Sequence, residues 1–271
     1  WIFNEFIKAQ NLVSKNIEAF RFDEAAKYAY QFVWHSYCDW YLEFLKPIFN
    51  SRNKSEINEA KLFSSFMMAN ILKILHPFIP FFTESVWSKN KYKAVFKKDL
   101  ILSTWPNYTN IKRFNKHQIN INNLIELISN IRSTKAELKI TPKLFCDVSF
   151  SDKPKKLGNL INDNLSLIKQ VGRINGIVKR QINDKNSIDI LVLKEKLSLS
   201  FSEDVDLASQ KERIIQKIER INKQIENLND KLKNKAYIKN APKEIVQNDK
   251  KLVKELTVED GKLRSIVSSI N

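Results

Sequence analysis

Three sets of side chains in this sequence have the types and spacing to hold a polyanion. Arg21, Tyr37, Trp40 and Lys46 fall along one helical stretch, R-F-D-E-A-A-K-Y-A-Y-Q-F-V-W-H-S-Y-C-D-W-Y-L-E-F-L-K-P, residues 21–47. Aromatic faces and guanidinium planes are the groups on which unstacked bases lie. Lys46 is placed to meet a phosphate. Arg132, Lys135 and Lys139 recur at i, i+3 and i+7 of a later helical segment, a basic row suited to a backbone groove. The third set, Lys217, Lys223, Lys231, Lys235, Lys239 and Lys243, lies off the apolar seam of a heptad-patterned C-terminal region. Charges of that kind touch phosphate and carry no sequence information. The first two sets also have packing readings. Tyr37 and Trp40 can be core residues of their helix, and Arg21 and Arg132 can pair with Asp or Glu on neighbouring helices.

Catalytic constellations are missing. His35, His76 and His117 have no metal-ligand spacing, and no metal site is expected. Four scattered glycines cannot build a phosphate-cradling loop, and there is no nucleophile elbow. The chain by itself reads as a catalytically inactive binding module. Its charge agrees: 46 Lys and Arg against 30 Asp and Glu leave a net +16. Self-repulsion of that size works against folding, so a polyanionic partner is implied, nucleic acid before a membrane surface. A lysine-rich proteome is the competing explanation. Cys38 and Cys146 form neither a metal spacing nor a disulfide framework, which fits a reduced, cytoplasmic setting. No apolar run reaches the ~18 residues of a membrane span, and no signal peptide precedes the chain. It starts on Trp1 inside a helical pattern, as expected for a piece of a longer protein.

The elements that must position these residues are mostly helical. Ile2, Phe3, Phe6, Val13, Ile17 and Phe20 share one helical face. Asp23 is a candidate cap for the next helix, whose inward face holds Ala26, Ala29, Val33, Tyr37, Trp40 and Phe44, with Pro47 ending it. Ser55 is a candidate cap for a third helix, which stops near His76 because Pro77 has no amide donor. In L-H-P-F-I-P-F-F-T-E-S-V-W, residues 75–87, the apolar residues between the prolines are expected to plug a corner of the core, with a new helix from Thr83. A long helix follows from about 119 to 137. Strand-period alternation at Leu144 to Phe150 and at Ile188 to Phe201 then marks a small α+β unit.

From Leu207 a heptad seam runs through Ile214, Ile218, Ile221, Ile225, Leu228 and Leu232, interrupted by Lys211. After Pro242 a second seam runs through Ile245, Leu252, Leu256, Leu263, Ile266 and Ile270, with Asp249 and Glu259 at its remaining positions. Equal arms around a proline predict an antiparallel two-helix coiled coil. The fold class expected is therefore mainly α: a helical bundle over 1–142, a small α+β junction over 143–205 and a coiled-coil arm over 206–271.

Residues 21–47, the stretch L-H-P-F-I-P-F-F-T-E-S-V-W, the segment L-I-S-N-I-R-S-T-K-A-E-L-K-I-T-P at 127–142 and the turn K-L-K-N-K-A-Y-I-K-N-A-P-K-E-I-V together resemble the valyl-tRNA synthetase family of class I aminoacyl-tRNA synthetases. The resemblance implies an anticodon-binding domain, a junction and a tRNA-binding arm; with the residue types and spacing above, Arg21, Tyr37, Trp40, Lys46, Arg132, Lys135, Lys139, Lys231, Lys235 and Lys239 are the candidate tRNA contacts. It implies tRNA(Val) as partner and a monomeric parent enzyme that attaches valine to that tRNA with ATP and Mg²⁺. The signatures H-I-G-H and K-M-S-K-S do not occur here. Activation and editing are thus expected in domains N-terminal to this chain, and no cofactor is expected in it. The other classes considered are a freestanding RNA-binding module and a coiled-coil protein-interaction module.

Overall fold

The computed structural model of the chain describes residues 1–108, 111, 114–150, 156–178, 186–201, 205–234, 237 and 242–270. They fall into two compact units, Trp1–Ile125 and Glu126–Asn271.

The first unit is helical. α1 (Ile2–Glu18) is followed by α2 (Phe22–Gln31), which runs unbroken through a π-helical stretch (Phe32–Tyr41) into α3 (Leu42–Phe49). Next come α4 (Lys54–Leu75), α5 (Pro80–Lys89), α6 (Tyr92–Phe96), a 3₁₀ turn (Leu100–Leu102) and the first part of α7 (Asn115–Glu137). The turn from α1 to α2 is a Schellman motif: the Arg21 amide donates to the Asn16 carbonyl at 2.8 Å, and the Phe20 amide to Ile17 at 3.0 Å. Phe20 takes the left-handed position that glycine usually fills, at φ 57.

The inward residues of the α2–α3 rod are Ala25, Ala29, Phe32, Tyr37, Tyr41, Phe44 and Leu45. Steps of three and four give way to a step of five between Phe32 and Tyr37, inside the π-helical stretch. That wider turn moves the seam. Val33 and Trp40, expected inside, end up half-buried.

Several ends differ from their sequence reading. α2 starts at Phe22, so Asp23 lies in its first turn and Arg21 holds the cap position. Pro47 sits within α3, which continues to Phe49. Asn53, not Ser55, caps α4, accepting from the amides of Ser55 at 3.1 Å and Glu56 at 3.3 Å. α4 does stop at Leu75, but α5 begins on Pro80, a favoured first helical position because the missing amide donor is not needed there. Thr83 is therefore inside α5 and fully buried. Its Oγ1 donates toward the carbonyls of Ile79 and Pro80, at 3.0 Å each, and lies 2.8 Å from His76 Nδ1. Of the apolar residues at this corner, only Phe78 plugs the interior, against Val13, Ala25 and Ala29. Phe81 is 92% exposed, and Ile79 and Phe82 also face solvent, so the expected core plug is one residue deep.

The second unit combines the C-terminal part of α7 with β1 (Cys146–Phe150), α8 (Leu157–Asp163), α9 (Leu165–Gly172), β2 (Ile174–Ile177), β3 (Ser187–Val192) and β4 (Glu195–Ser200). The sheet order is β2-β1-β4-β3. β1 is parallel to β2 and antiparallel to β4. β3 and β4 form a hairpin whose two turn residues, Leu193 and Lys194, both have positive φ, the geometry that matches strand twist.

Two helices of 27 residues, α10 (Leu207–Lys233) and α11 (Lys243–Ser269), complete the unit as an antiparallel pair, each about 40 Å long at 1.5 Å per residue. The α10 seam is the one read from its heptads: Leu207, Ile214, Ile218 and Ile221 are buried. The α11 seam is partly displaced. Val246 is 8% exposed where Ile245 is 48% exposed, and Leu252 also faces solvent while its neighbour Val253 is half-buried. Each polar seam residue has a partner. Lys211 donates to the Ile270 carbonyl at 3.1 Å, at the C-terminus of α11, where a cation is favoured. Tyr237 donates to Asp249 at 2.7 Å, and Lys217 pairs across the arm with Glu259 at 2.7 Å. The end of the arm is tied to the sheet by a bridge between Ile188 and Ile270.

Candidate nucleic-acid interface

Arg21 is exposed at the start of α2, delivered there by the Schellman turn, and makes no ion pair among the described residues. Exposed Phe20 and Phe22 flank it, with their rings 6.3 Å apart and edge-on. Lys46 is exposed on α3 and pairs with Glu43 three residues back. Trp40 is half-buried, its ring tilted against Phe44 at 5.7 Å.

Tyr37 is placed differently from the platform reading. It is 4% exposed, packed with Phe6, Phe32, Met67 and Tyr41. Its ring lies 5.3 Å from that of Tyr41. Burial pushes its phenol well above the ordinary tyrosine range. No ring face is left to receive a base, and the packing reading of Tyr37 holds.

The basic row on α7 also separates. Arg132 is exposed, and its Nη2 donates to the Val171 carbonyl at 3.0 Å, in the last turn of α9. Lys135 is 2% exposed. Its Nζ donates to the carbonyls of Leu144, at 2.7 Å, and Arg173, at 3.4 Å. Burial pulls its amine below the usual lysine range, opposed by the neighbouring Cys146, whose thiol burial pushes up. Lys135 thus bonds backbone beside β1 and is not offered to phosphate. Only Lys139 of the three is both exposed and unpaired among the described residues. It occupies the left-handed position of a second Schellman turn, at φ 51, closed by Ile140 N–H to the Lys135 carbonyl at 2.8 Å.

On the arm, Lys217, Lys223 and Lys231 are exposed. Lys235 and Lys239 lie outside the described residues, as does the side chain of Lys243.

One surface was missed by sequence reasoning. Tyr30 and Trp34, 57% and 52% exposed, stack with ring centroids 6.1 Å apart and planes within 5°. His35 stands edge-on to Tyr30 at 6.2 Å. Lys27, bonded to Glu24 at 3.1 Å, precedes them, so that Lys27, Tyr30 and Trp34 sit at i, i+3 and i+7. The available signal was an aromatic pair four apart on the polar side of the helix, where burial gives no reason for one. Together these groups offer a flat π surface, a cation and an imidazole, which can stack a base and hold its phosphate.

Among the described residues no group of three or more His, Cys, Asp or Glu could hold a metal ion, and no helix is long and apolar enough to cross a membrane.

An all-helical unit with stacked aromatics on its outer face, followed by a small sheet and a basic helical hairpin, has the parts of an RNA-binding protein. Residues 1–150 match the anticodon-binding domain of tRNA ligase, and the chain belongs to that family. Residues 206–271 match the valyl tRNA synthetase tRNA binding arm. The similar proteins are valine–tRNA ligases. That of Pelagibacter ubique is 36% identical over 250 residues, covering 92% of this chain and 28% of its own length. Those of Rhizobium meliloti and Zymomonas mobilis are each 30% identical over all of this chain, covering 28% and 30% of their own lengths. The chain thus spans a little over a quarter of the relatives it matches.

Proposed function

We propose that this chain is the tRNA-recognising C-terminal portion of a monomeric, cytoplasmic valine–tRNA ligase. Residues 1–142 would receive the anticodon, 143–205 would join, and 206–271 would lean on the tRNA body. The observation that carries the anticodon reading is the exposed Tyr30–Trp34 pair beside Lys27, whose rings lie parallel within 5° and so present one flat surface. Arg21, Trp40 and Lys46 supply further groups along the same rod, and Lys139 and the arm lysines supply phosphate contacts. ATP- and Mg²⁺-dependent activation of valine, and editing, belong to the part of the parent protein outside this chain.

Two measurements test the reading. The chain should bind tRNA bearing a valine anticodon more tightly than the same tRNA with that anticodon changed, and equal binding would remove the anticodon assignment. It should show no ATP–pyrophosphate exchange with valine, and exchange above background would overturn the division of labour.

A further inference from the structure

Within the second unit, a cleft of about 430 Å³ opens between the C-terminal turn of α7 and the first half of α10. Its walls include Glu137 and Lys139 from α7 and its turn, and Arg213, Lys217 and Arg220 from α10, with buried Leu263 beneath. Arg213, Lys217 and Arg220 are spaced i, i+4 and i+7, a single stripe along the helix. Lys139 stands opposite because its left-handed backbone ends α7 there.

The charges do not balance. Lys217 is bonded to Glu259 at 2.7 Å and also feels Glu137. Among the described residues Arg213 donates only to the neutral Gln210 Oε1, at 2.7 Å. Lys139 and Arg220 have no side-chain partner among the described residues. Four cations therefore face two carboxylates across a concave surface. Such a surface repels itself and focuses its field on an anion.

We propose that this cleft is a phosphodiester-binding site gripping the RNA backbone at the root of the arm. It rests on the tRNA-binding reading above and adds a grip that neither the anticodon surface nor the lysines of the arm's outer half provide. Two features favour a strand over a single anion. The stripe extends about 10 Å along α10 at 1.5 Å per residue, so its charges meet successive phosphates and do not converge on one. Arg213 and Arg220 present planar forks that match phosphate oxygens two at a time. Among the described residues no aromatic lines the cleft, so the grip is expected to be independent of sequence.

The test is a salt titration, from 50 to 200 mM, of tRNA binding by the full chain and its Lys139→Gln/Arg220→Gln variant. Leaving two phosphates without their cations lowers the log–log salt slope by about 1.4–1.8. Over that salt range the wild type then loses roughly tenfold more affinity than the variant. The charge-keeping Lys139→Arg/Arg220→Lys variant should retain most of the slope, which separates lost charge from a fold defect. Both tRNAs, with the valine anticodon and with it changed, should be weakened by the same factor in the Gln variant. An unchanged slope alongside normal wild-type binding would overturn the cleft assignment and leave the tRNA reading standing. Absence of tRNA binding by the wild type would sink both. Displacement of tRNA by inorganic phosphate at low millimolar concentration, reduced equally by the Gln substitutions, would assign the cleft to a free anion and overturn the backbone grip.

Discussion

The two units use different chemistry. Of the 29 aromatic residues, 25 lie in residues 1–125, and the second unit holds only Phe145, Phe150, Phe201 and Tyr237. The first unit can therefore build an aromatic core and still spare rings for its surface. The arm, with Tyr237 its sole aromatic and that hydroxyl bonded to Asp249, has cations and aliphatic seams to work with. Base recognition needs π faces and edge-specific hydrogen bonds, while holding phosphate needs only charge. Base reading is therefore expected of the first unit, and affinity and salt dependence of the second.

Four experiments would break or sharpen that contrast. The largest effect is expected for Tyr37→Ala. Emptying an aromatic site in the core should cost about 3–5 kcal/mol of stability and weaken binding of all tRNAs alike. A variant with an unchanged melting temperature and lost anticodon preference would restore Tyr37 as a base platform. Next, Trp34→Ala should leave melting unchanged and lower binding of the valine-anticodon tRNA by about 1–3 kcal/mol, the usual worth of one base–aromatic stack. If the changed-anticodon tRNA weakens equally, Trp34 is not reading the anticodon.

A smaller effect is expected from shortening the arm. Ile270 is bridged to Ile188 of β3 and Leu207 is buried, so removing all of 206–271 would disturb the sheet. Replacing residues 226–254 with a short turn keeps that root. Salt dependence should flatten by about 0.7–0.9 in slope for each phosphate no longer neutralised, with anticodon preference intact. A changed preference would mean that the arm reads sequence after all. The smallest effect is a pH response. Burial raises the phenols of Tyr37, Tyr41 and Tyr108 in the folded state, while unfolded tyrosine titrates near 10. Above about pH 10 the unfolded chain therefore binds fewer protons, and stability falls as pH rises. Tyr37→Phe should lessen that fall. Urea melts at pH 8 and pH 10.5 measure it, and an identical pH response in both proteins would contradict the burial of the phenol.

The long helices, the strand alternation at residues 144–150 and 188–201 and the two-helix arm were legible in the sequence because each rests on a local period. The same holds for the proline that separates the arms and for the end of α4. The motifs that resemble valyl-tRNA synthetases were legible for another reason: they are runs of residue identity, and four of them stand in order. The α10 seam was also readable, since an isoleucine or leucine recurs at each heptad step.

Tertiary structure decided which member of a pattern turns inward. Heptad counting put Ile245 and Leu252 on the α11 seam, yet Val246 is buried there and Val253 half-buried, because packing against α10 selects one of two adjacent apolar residues. Counting in steps of three and four put Tyr37 inside, as it is, but could not foresee a step of five, which left Val33 and Trp40 half-buried, while Tyr30 and Trp34 face solvent. Lys135 looked like a surface cation by type and spacing. It is buried because the carbonyls of Leu144 and Arg173, both outside the helix, need a donor at that point. A period fixes a direction around one helix; whether that direction meets solvent, a sheet or another helix is set by residues far along the chain.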